Sequence, residues 1–248
     1  MTRPLTDFCR ADYQALLEAL LNRGYDFVDL EGLASGGQAI FCRHDVDMSL
    51  THAAEMAELE HAIGVQATYY VLLSTNMYNL AQAESRSVLR RMADLGHTVG
   101  LHFDTTKYGD DRESLELAAA DECALLEAIS GSPVTSLSFH RPAKALLGLE
   151  GSFAGRAHTY EPRFFSRVAY VSDSNGGWHY GHPLDHPAVR TGEAIQLLTH
   201  PIWWMQDEAA SAIAVMERLR CHRNKALQRD LAGTVKQYGE WFSRAGVD

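Results

Sequence analysis

The stretch FCRHDVDMSL (residues 41–50) places two aspartates, Asp45 and Asp47, directly after an apolar run. On an extended chain, residues i and i+2 point to the same side, so both carboxylates can face one pocket. Two carboxylates this close repel each other unless a cation or an arginine relieves them. Either aspartate could instead cap the following helix, but Ser49 and Thr51 already suit that position. We therefore interpret the pair as part of a site that holds a metal.

Composition and charge limit the classes of protein to which the chain can belong. Its 248 residues are enough for one large α/β domain, and its formal net charge of −10 argues against a nucleic-acid binder. The four cysteines lie far apart and form no CxxC pair, which is typical of a reducing compartment. No signal-peptide pattern or long apolar run is present, so we expect a cytoplasmic protein without membrane contact. The oligomeric state stays open.

Strand-like and helix-like segments alternate along the whole chain. The predicted strands are residues 39–43, 65–73, 97–103, 134–140, 169–173 and 194–200. The predicted helices are residues 11–22, 49–64, 83–95, 113–130, 207–218 and 223–243. This alternation implies an α/β fold in which helices cover a parallel sheet. No linker, repeat or composition break interrupts it, so the sequence predicts a single catalytic domain over residues 1–248.

Charged and imidazole side chains stand at the ends of five different predicted strands. They are Asp45 and Asp47, His102 and Asp104, His140 and Arg141, Asp173, and His200. In barrels and open α/β sheets, sites are assembled at this carboxyl edge from several strands. A structural sheet has no need of such residues at five ends, so the pattern favours a functional site.

Several of these segments also have structural interpretations. Proline after Arg141 could simply stop a strand, and DSNGGW (173–178) could be only a turn. A tryptophan in such a turn, Trp178, could also stack on a sugar ring. His200 could belong to an aromatic anchor with the tryptophans that follow, although histidine suits proton transfer.

Five segments, in order, resemble the motifs of the polysaccharide deacetylases, carbohydrate esterase family 4. They are HDVD (44–47), GHTVGLHFD (96–104), FHRP (139–142), SDSNGGW (172–178) and LLTHP (197–201). The chain is most similar to the divergent branch found among surface-polysaccharide and natural-product genes. The resemblance implies a distorted (β/α) barrel of seven parallel strands with outer helices. It also implies one divalent metal, usually zinc, and hydrolysis of an N-acetyl group on an amino sugar.

The resemblance carries metal ligands over to Asp47 and His102. The second histidine of the family's second motif falls on Thr106, which is a departure from the pattern. A zinc site needs about three protein ligands, so another side chain must replace it. Asp104 and His140 are the two candidates, and we favour His140 because imidazole is the softer donor.

The resemblance also implies the remaining roles. Asp45 would be the general base, and Arg141 would orient and charge it. Asp173 and Trp178 match the fourth motif and would bind substrate. His200 matches the fifth-motif histidine and would be the general acid.

These roles predict a metal-dependent N-deacetylase that acts on an amino sugar or another small-molecule or carbohydrate precursor. One alternative is an amidohydrolase of the same fold that acts on a small cyclic or ring amide. Another is a non-catalytic carbohydrate-binding relic, which the threonine at the second-motif histidine position motivates. Metal content and amide hydrolysis separate the relic from the two enzymes, and a substrate panel separates the enzymes from each other.

Overall fold

The computed structural model describes residues 8–109, 111–179 and 181–245. The chain divides into two compact units, Met1–Ala209 and Ala210–Asp248, and every predicted site residue lies in the first. Among the described residues, no helix is long and apolar enough to cross a bilayer.

Strands and helices alternate along the first unit, and two helices follow in the second. The strands are β1 Asp26–Phe27, β2 Ala39–Val46, β3 Thr68–Val71, β4 Thr98–Asp104, β5 Ser136–His140, β6 Ala157–His158, β7 Ala169–Ser172 and β8 Ile195–Thr199. The helices are α1 Arg10–Asn22, α2 Leu30–Leu33, α3 Leu50–Ala62, α4 Ala83–Asp94, α5 Arg112–Ser130, α6 Pro187–Thr191, α7 Pro201–Trp204, α8 Ala212–Thr234 and α9 Lys236–Ala245.

Seven strands form one continuous parallel sheet in the order β6-β5-β4-β3-β2-β8-β7. The two-residue strand β1 pairs with the beginning of β2, off this path. Each pairing is parallel, as expected for strands joined by helical crossovers. The predicted seven-stranded α/β barrel architecture is confirmed.

The sheet is curled, as contacts across its interior show. Gln196 on β8 donates through Nε2 to the carbonyl oxygens of Thr159 (3.2 Å) and Phe164 (2.6 Å). Thr159 directly follows β6, which is five strand positions from β8 in the sheet order. On a flat sheet five spacings would measure about 24 Å, so a side chain could not span them. The sheet therefore forms an open, distorted barrel whose interior walls face each other.

Strand β2 carries the aspartate stretch and is buried along its entire length. The sequence predicts this strand only over residues 39–43, whereas the structure continues it to Val46. Because a parallel strand is covered on both faces, a polar residue does not mark its end as it would in a half-exposed strand. His44 and Asp45 therefore lie inside the sheet, and Ser49 caps the next helix by accepting from the backbone N–H of His52.

The last two helices differ from the prediction. The sequence predicts helices near residues 207–218 and 223–243, but α8 is continuous over Ala212–Thr234. Ser211 caps it, and the first glycine after that cap is Gly233. With neither proline nor glycine in between, nothing in the backbone breaks the helix where the prediction placed a gap.

Gly100 on β4 permits close packing inside the barrel. A Cβ atom there would stand 2.5 Å from the ring of Tyr70 and 3.0 Å from the carbonyl oxygen of Ser136. Tyr70 cannot easily move, since its hydroxyl is hydrogen-bonded to Ser136 Oγ at 2.7 Å. Only glycine fits at this position without a shift of its neighbours.

We expect Gly100→Ala to lower the free energy of unfolding by about 1–3 kcal/mol, the usual cost of overpacking a core. Gly109→Ala is the matched control, because a Cβ there meets nothing closer than 3.5 Å. It should change stability by less than about 0.5 kcal/mol. Urea denaturation followed by circular dichroism measures both, and equal stability of the two variants would contradict the packing argument.

Candidate active site

One carboxylate oxygen and two imidazole nitrogens, each from a different strand end, form a triangle at the carboxyl edge of the barrel. Asp47 Oδ1 lies 3.1 Å from His102 Nε2 and 3.3 Å from His140 Nδ1, and the two ring nitrogens are 3.2 Å apart. Ligand atoms about 2.0–2.2 Å from a tetrahedral zinc ion stand roughly 3.3–3.6 Å from each other. The triangle therefore has nearly the size of one face of such a coordination sphere.

Asp47 has the unsatisfied acceptor that a cation site requires. Its Oδ1 atom is buried and has no hydrogen-bond partner among the described residues, even though two ring nitrogens are close. Burial alone would raise the pKa of Asp47, but His102, His140 and His200 outweigh it and hold that pKa far below its usual range. The carboxylate is therefore ionised, and an ion between the three atoms would satisfy it.

A backbone contact orients the imidazole of His102. Its Nδ1 atom donates to the carbonyl oxygen of Ser138 at 3.3 Å, because a carbonyl can only accept. The opposite nitrogen, Nε2, then keeps its lone pair directed at Asp47 and His140. This is the arrangement that fixes the tautomer of metal-binding histidines.

A second cluster of similar composition lies behind the sheet, formed by Cys42, His44 and Glu60. Glu60 accepts from His44 Nε2 at 2.8 Å and from the hydroxyl groups of Tyr13 and Tyr69. Both carboxylate oxygens of Glu60 therefore already have donors. This cluster is a satisfied hydrogen-bond network that ties α1 and α3 to β2, so its residues do not need an ion.

Asp45 lies next to the triangle and deeper in the barrel. Its Oδ2 atom is 3.8 Å from His102 Nε2 and accepts from Ser138 Oγ at 3.4 Å. The guanidinium beside it belongs to Arg43, whose Nη1 atom is 3.6 Å from Asp45 Oδ1. Asp45 is thus placed to accept a proton from a molecule held at the triangle's edge.

His200 lies on another side of the triangle, and Asp173 favours the protonated form of its imidazole. Its Nδ1 atom is 2.6 Å from Asp173 Oδ1, and its Nε2 atom is 3.8 Å from Asp47 Oδ2. Asp173 is fully buried and also accepts from the indole of Trp204 at 2.7 Å. Burial alone would lower the pKa of His200, but Asp173 and then Asp47 raise it to about 9. A pKa above neutrality favours the protonated imidazole at neutral pH.

The structure places Arg141 and Asp104 together at the rim of the site. Arg141 Nη2 donates to Asp104 Oδ2 at 2.6 Å, and Thr106 donates to Asp104 Oδ1 through its N–H and its hydroxyl. Arg141 has φ of 49°, so the chain leaves the extended conformation immediately after β5. This turn lets His140 face the interior while the next side chain reaches Asp104. Of the two candidates for third ligand, His140 is therefore the one in the triangle.

Trp178 belongs to an aromatic wall that it forms with Trp204 and Phe8. Its ring stands 5.8 Å from that of Trp204 and 6.0 Å from that of Phe8. Trp204 links this wall to the site, because its indole donates to Asp173. A planar apolar surface of this kind suits stacking against a sugar ring.

Sequence reasoning missed two residues that contact Asp45 inside the barrel, Arg43 and Ser138. A signal was available for both, since strand alternation puts residues i and i+2 on one face. Arg43 precedes Asp45 by two residues, and Ser138 precedes His140 by two. The prediction that β2 ends at residue 43 concealed the first of these relations.

Comparisons with known proteins find likeness only among solved structures. No family model and no curated protein matches the chain. A family 4 carbohydrate esterase from Bacillus anthracis is 17% identical, with TM-score 0.42 over 91% of this chain and 94% of that one. The peptidoglycan deacetylase PdaC from Bacillus subtilis is 15% identical, with TM-score 0.44 over 81% and 97%. A CE4 family pseudoenzyme from Bacillus anthracis is 12% identical, with TM-score 0.41 over 77% and 62%.

The two Bacillus anthracis structures belong to the family whose motifs the sequence resembles, and one of them is a pseudoenzyme. One fold supports many activities, and identities this low assign neither activity nor substrate.

We expect Asp47→Ala, His102→Ala and His140→Ala each to weaken zinc binding by more than about 100-fold. Loss of a residue that only supports a ligand already lowers metal affinity by up to about 100-fold, and loss of a ligand should cost more. Asp104→Ala is the control, since Asp104 bonds to Arg141 and Thr106 instead. It should keep the metal. Isothermal titration with zinc, with far-UV circular dichroism to check folding, measures these affinities. If His140→Ala kept full affinity for zinc and Asp104→Ala lost it, Asp104 and not His140 would be the third ligand.

Proposed function

We propose that the protein is a metal-dependent hydrolase that removes an N-acyl group, most simply N-acetyl, from an amino sugar or a sugar-containing precursor. The observation that carries the proposal is the orphaned carboxylate oxygen of Asp47 between two imidazole nitrogens. A proton acceptor, Asp45, and a proton donor, His200, flank it on two sides. Metal-assisted amide hydrolysis uses a metal site, a proton acceptor and a proton donor in this arrangement.

Asp47, His102 and His140 would hold the metal. Carboxylate and imidazole ligands suit zinc, and three protein ligands leave a position for water or substrate. When bound, a divalent ion supplies a lowered water pKa and polarises the amide carbonyl.

The proton transfers fall to residues of the chain. Asp45 takes a proton from the attacking water, whose oxygen forms the new bond to the acyl carbon. His200 gives a proton to the amide nitrogen as the C–N bond breaks, so the products are a carboxylic acid and a free amine. Asp173 holds the His200 ring in place and keeps it protonated before that step.

The aromatic wall supports a ring-shaped substrate. Trp178 packs near Trp204, whose indole donates to Asp173, the partner of His200. The leaving amine and its attached group would lie on this side of the site. A cyclic amide could also stack there, so a substrate panel must include both classes. We favour the amino sugar because the order of the sequence segments resembles deacetylase motifs.

Asp45→Asn keeps the size of the side chain but removes the proton acceptor. We expect it to retain the metal and to lose about 10²–10⁴-fold in kcat, the usual contribution of a general base. The assay is amine release from N-acetylated and N-formylated sugars and sugar nucleotides, with cyclic amides in the same panel. Wild-type activity in Asp45→Asn would place the base elsewhere.

The pH dependence of kcat tests the donor. Asp173 is the strongest of the carboxylates that raise the pKa of His200, and the rate should fall as the pH rises through that pKa, because His200 then loses the proton that it donates. Asp173→Asn removes the charge that most strongly raises the pKa of His200, so the alkaline limb of the rate profile should move to lower pH. Asp94→Asn, at an exposed end of α4, should leave the limb in place. An unmoved limb in Asp173→Asn would remove His200 from the role of donor.

A further inference from the structure

A fully buried arginine lies in the barrel interior beneath Asp45. Arg43 is 0% exposed and sits two residues before Asp45 on β2, so both side chains point to the same face. An isolated buried charge is costly, and a guanidinium is retained in such a place only when it is compensated. Its contacts therefore indicate which group compensates it.

Arg43 forms an ion pair with one oxygen of the Asp45 carboxylate and is linked to the other through Ser138. Its Nη1 atom is 3.6 Å from Oδ1, and it also donates to Ser138 Oγ at 2.5 Å. The Ser138 hydroxyl in turn donates to Asp45 Oδ2 at 3.4 Å. The carboxylate is thus held by a direct ion pair on one side and through a hydroxyl bridge on the other.

Neighbouring side chains fix the guanidinium in this position. The rings of Tyr70 and Tyr160 have their centres 5.9 and 5.3 Å from its Cζ atom, and Thr159 accepts from Nη1 at 2.6 Å. Its Nε and Nη2 atoms have no hydrogen-bond partner within the described ranges. Attraction to Asp45 is therefore a large part of what compensates the buried charge of Arg43.

Arg141, by contrast, is directed away from Asp45. Its side chain is 61% exposed, and its Nη2 atom contacts Asp104 and Thr106. This pair joins a largely exposed guanidinium to the buried carboxylate of Asp104, so the charge of Arg141 is directed at Asp104.

We infer that Arg43 is the residue that positions Asp45 for proton transfer, with Ser138 as the bridge between them. The motif resemblance gives this role to Arg141. The inference rests on the proposed function, since it concerns the same proton acceptor. Arg43 acts through Asp45 and does not itself touch the substrate, which distinguishes it from the groups that transfer protons.

A double-mutant cycle tests this relation. Arg43→Met should retain zinc and lower kcat by roughly 100-fold, the effect of misplacing a reacting group by about 1 Å. In the Asp45→Asn background, the same change should cost no more than about twofold, because the group it positions is already inactive. An equal loss in both backgrounds would overturn the inference.

Two further variants guard against effects on folding. Arg156→Met removes a half-buried arginine paired with Glu127, far from Asp45, and should leave kcat unchanged in either background. Ser138→Ala breaks the bridge with little change in packing. It should lower kcat in the wild type but not in Asp45→Asn. If Arg43→Met does not fold, the Ser138→Ala cycle decides the inference alone.

A crystal structure of Arg43→Met gives a readout that does not depend on activity. The Asp45 carboxylate should leave its contacts with Ser138 and His102, and Ser138→Ala should shift it in part. If no panel substrate is hydrolysed by the wild type, the proposed function fails while this readout still applies. An unmoved Asp45 carboxylate in both variant structures would overturn the positioning role.

Discussion

Burial of charge along strand β2 and directly after it constrains the rest of the barrel. Arg43, Asp45 and Asp47 follow one another on the same face, and an uncompensated ion in a protein interior costs several kcal/mol. A flat sheet would leave this face without partners. Because the sheet curls, β5 approaches β2 across the interior, and Ser138 and His140 reach the charges from the opposite wall. The curl and the site thus depend on the same contacts.

The sequence predicts most of the first unit because helices and parallel strands have distinct periodicities. It also predicts which strand ends carry the site, since parallel strands share one carboxyl edge. It does not predict where β2 ends. Residues 39–46 are covered on both faces, and in such a strand polarity no longer separates strand from loop. Arg43 was missed for that reason, and Arg141 received its role from resemblance alone.

Residue types alone do not identify the ion site either. The front of the sheet carries Asp47, His102 and His140, and the back carries Cys42, His44 and Glu60. Both sets contain a carboxylate and imidazole within a few ångströms. They differ in their donors, because tyrosine hydroxyls satisfy Glu60, while Asp47 Oδ1 accepts no hydrogen bond from the part of the chain that the structure describes. That difference depends on which side chains the helices bring to the sheet, and it becomes visible only in three dimensions.

The positions at which this chain differs from the deacetylase motifs are linked to one another by contacts. Thr106, where a second histidine would stand, bonds to Asp104, and Asp104 in turn holds Arg141. With Arg141 engaged at the rim, the guanidinium beside Asp45 comes from Arg43. The turn at Arg141 that permits this also points His140 into the triangle. Thr106, Asp104 and Arg141 are thus paired with one another at the rim. The buried acceptor of Asp47 lies among the imidazoles, where an ion would satisfy it.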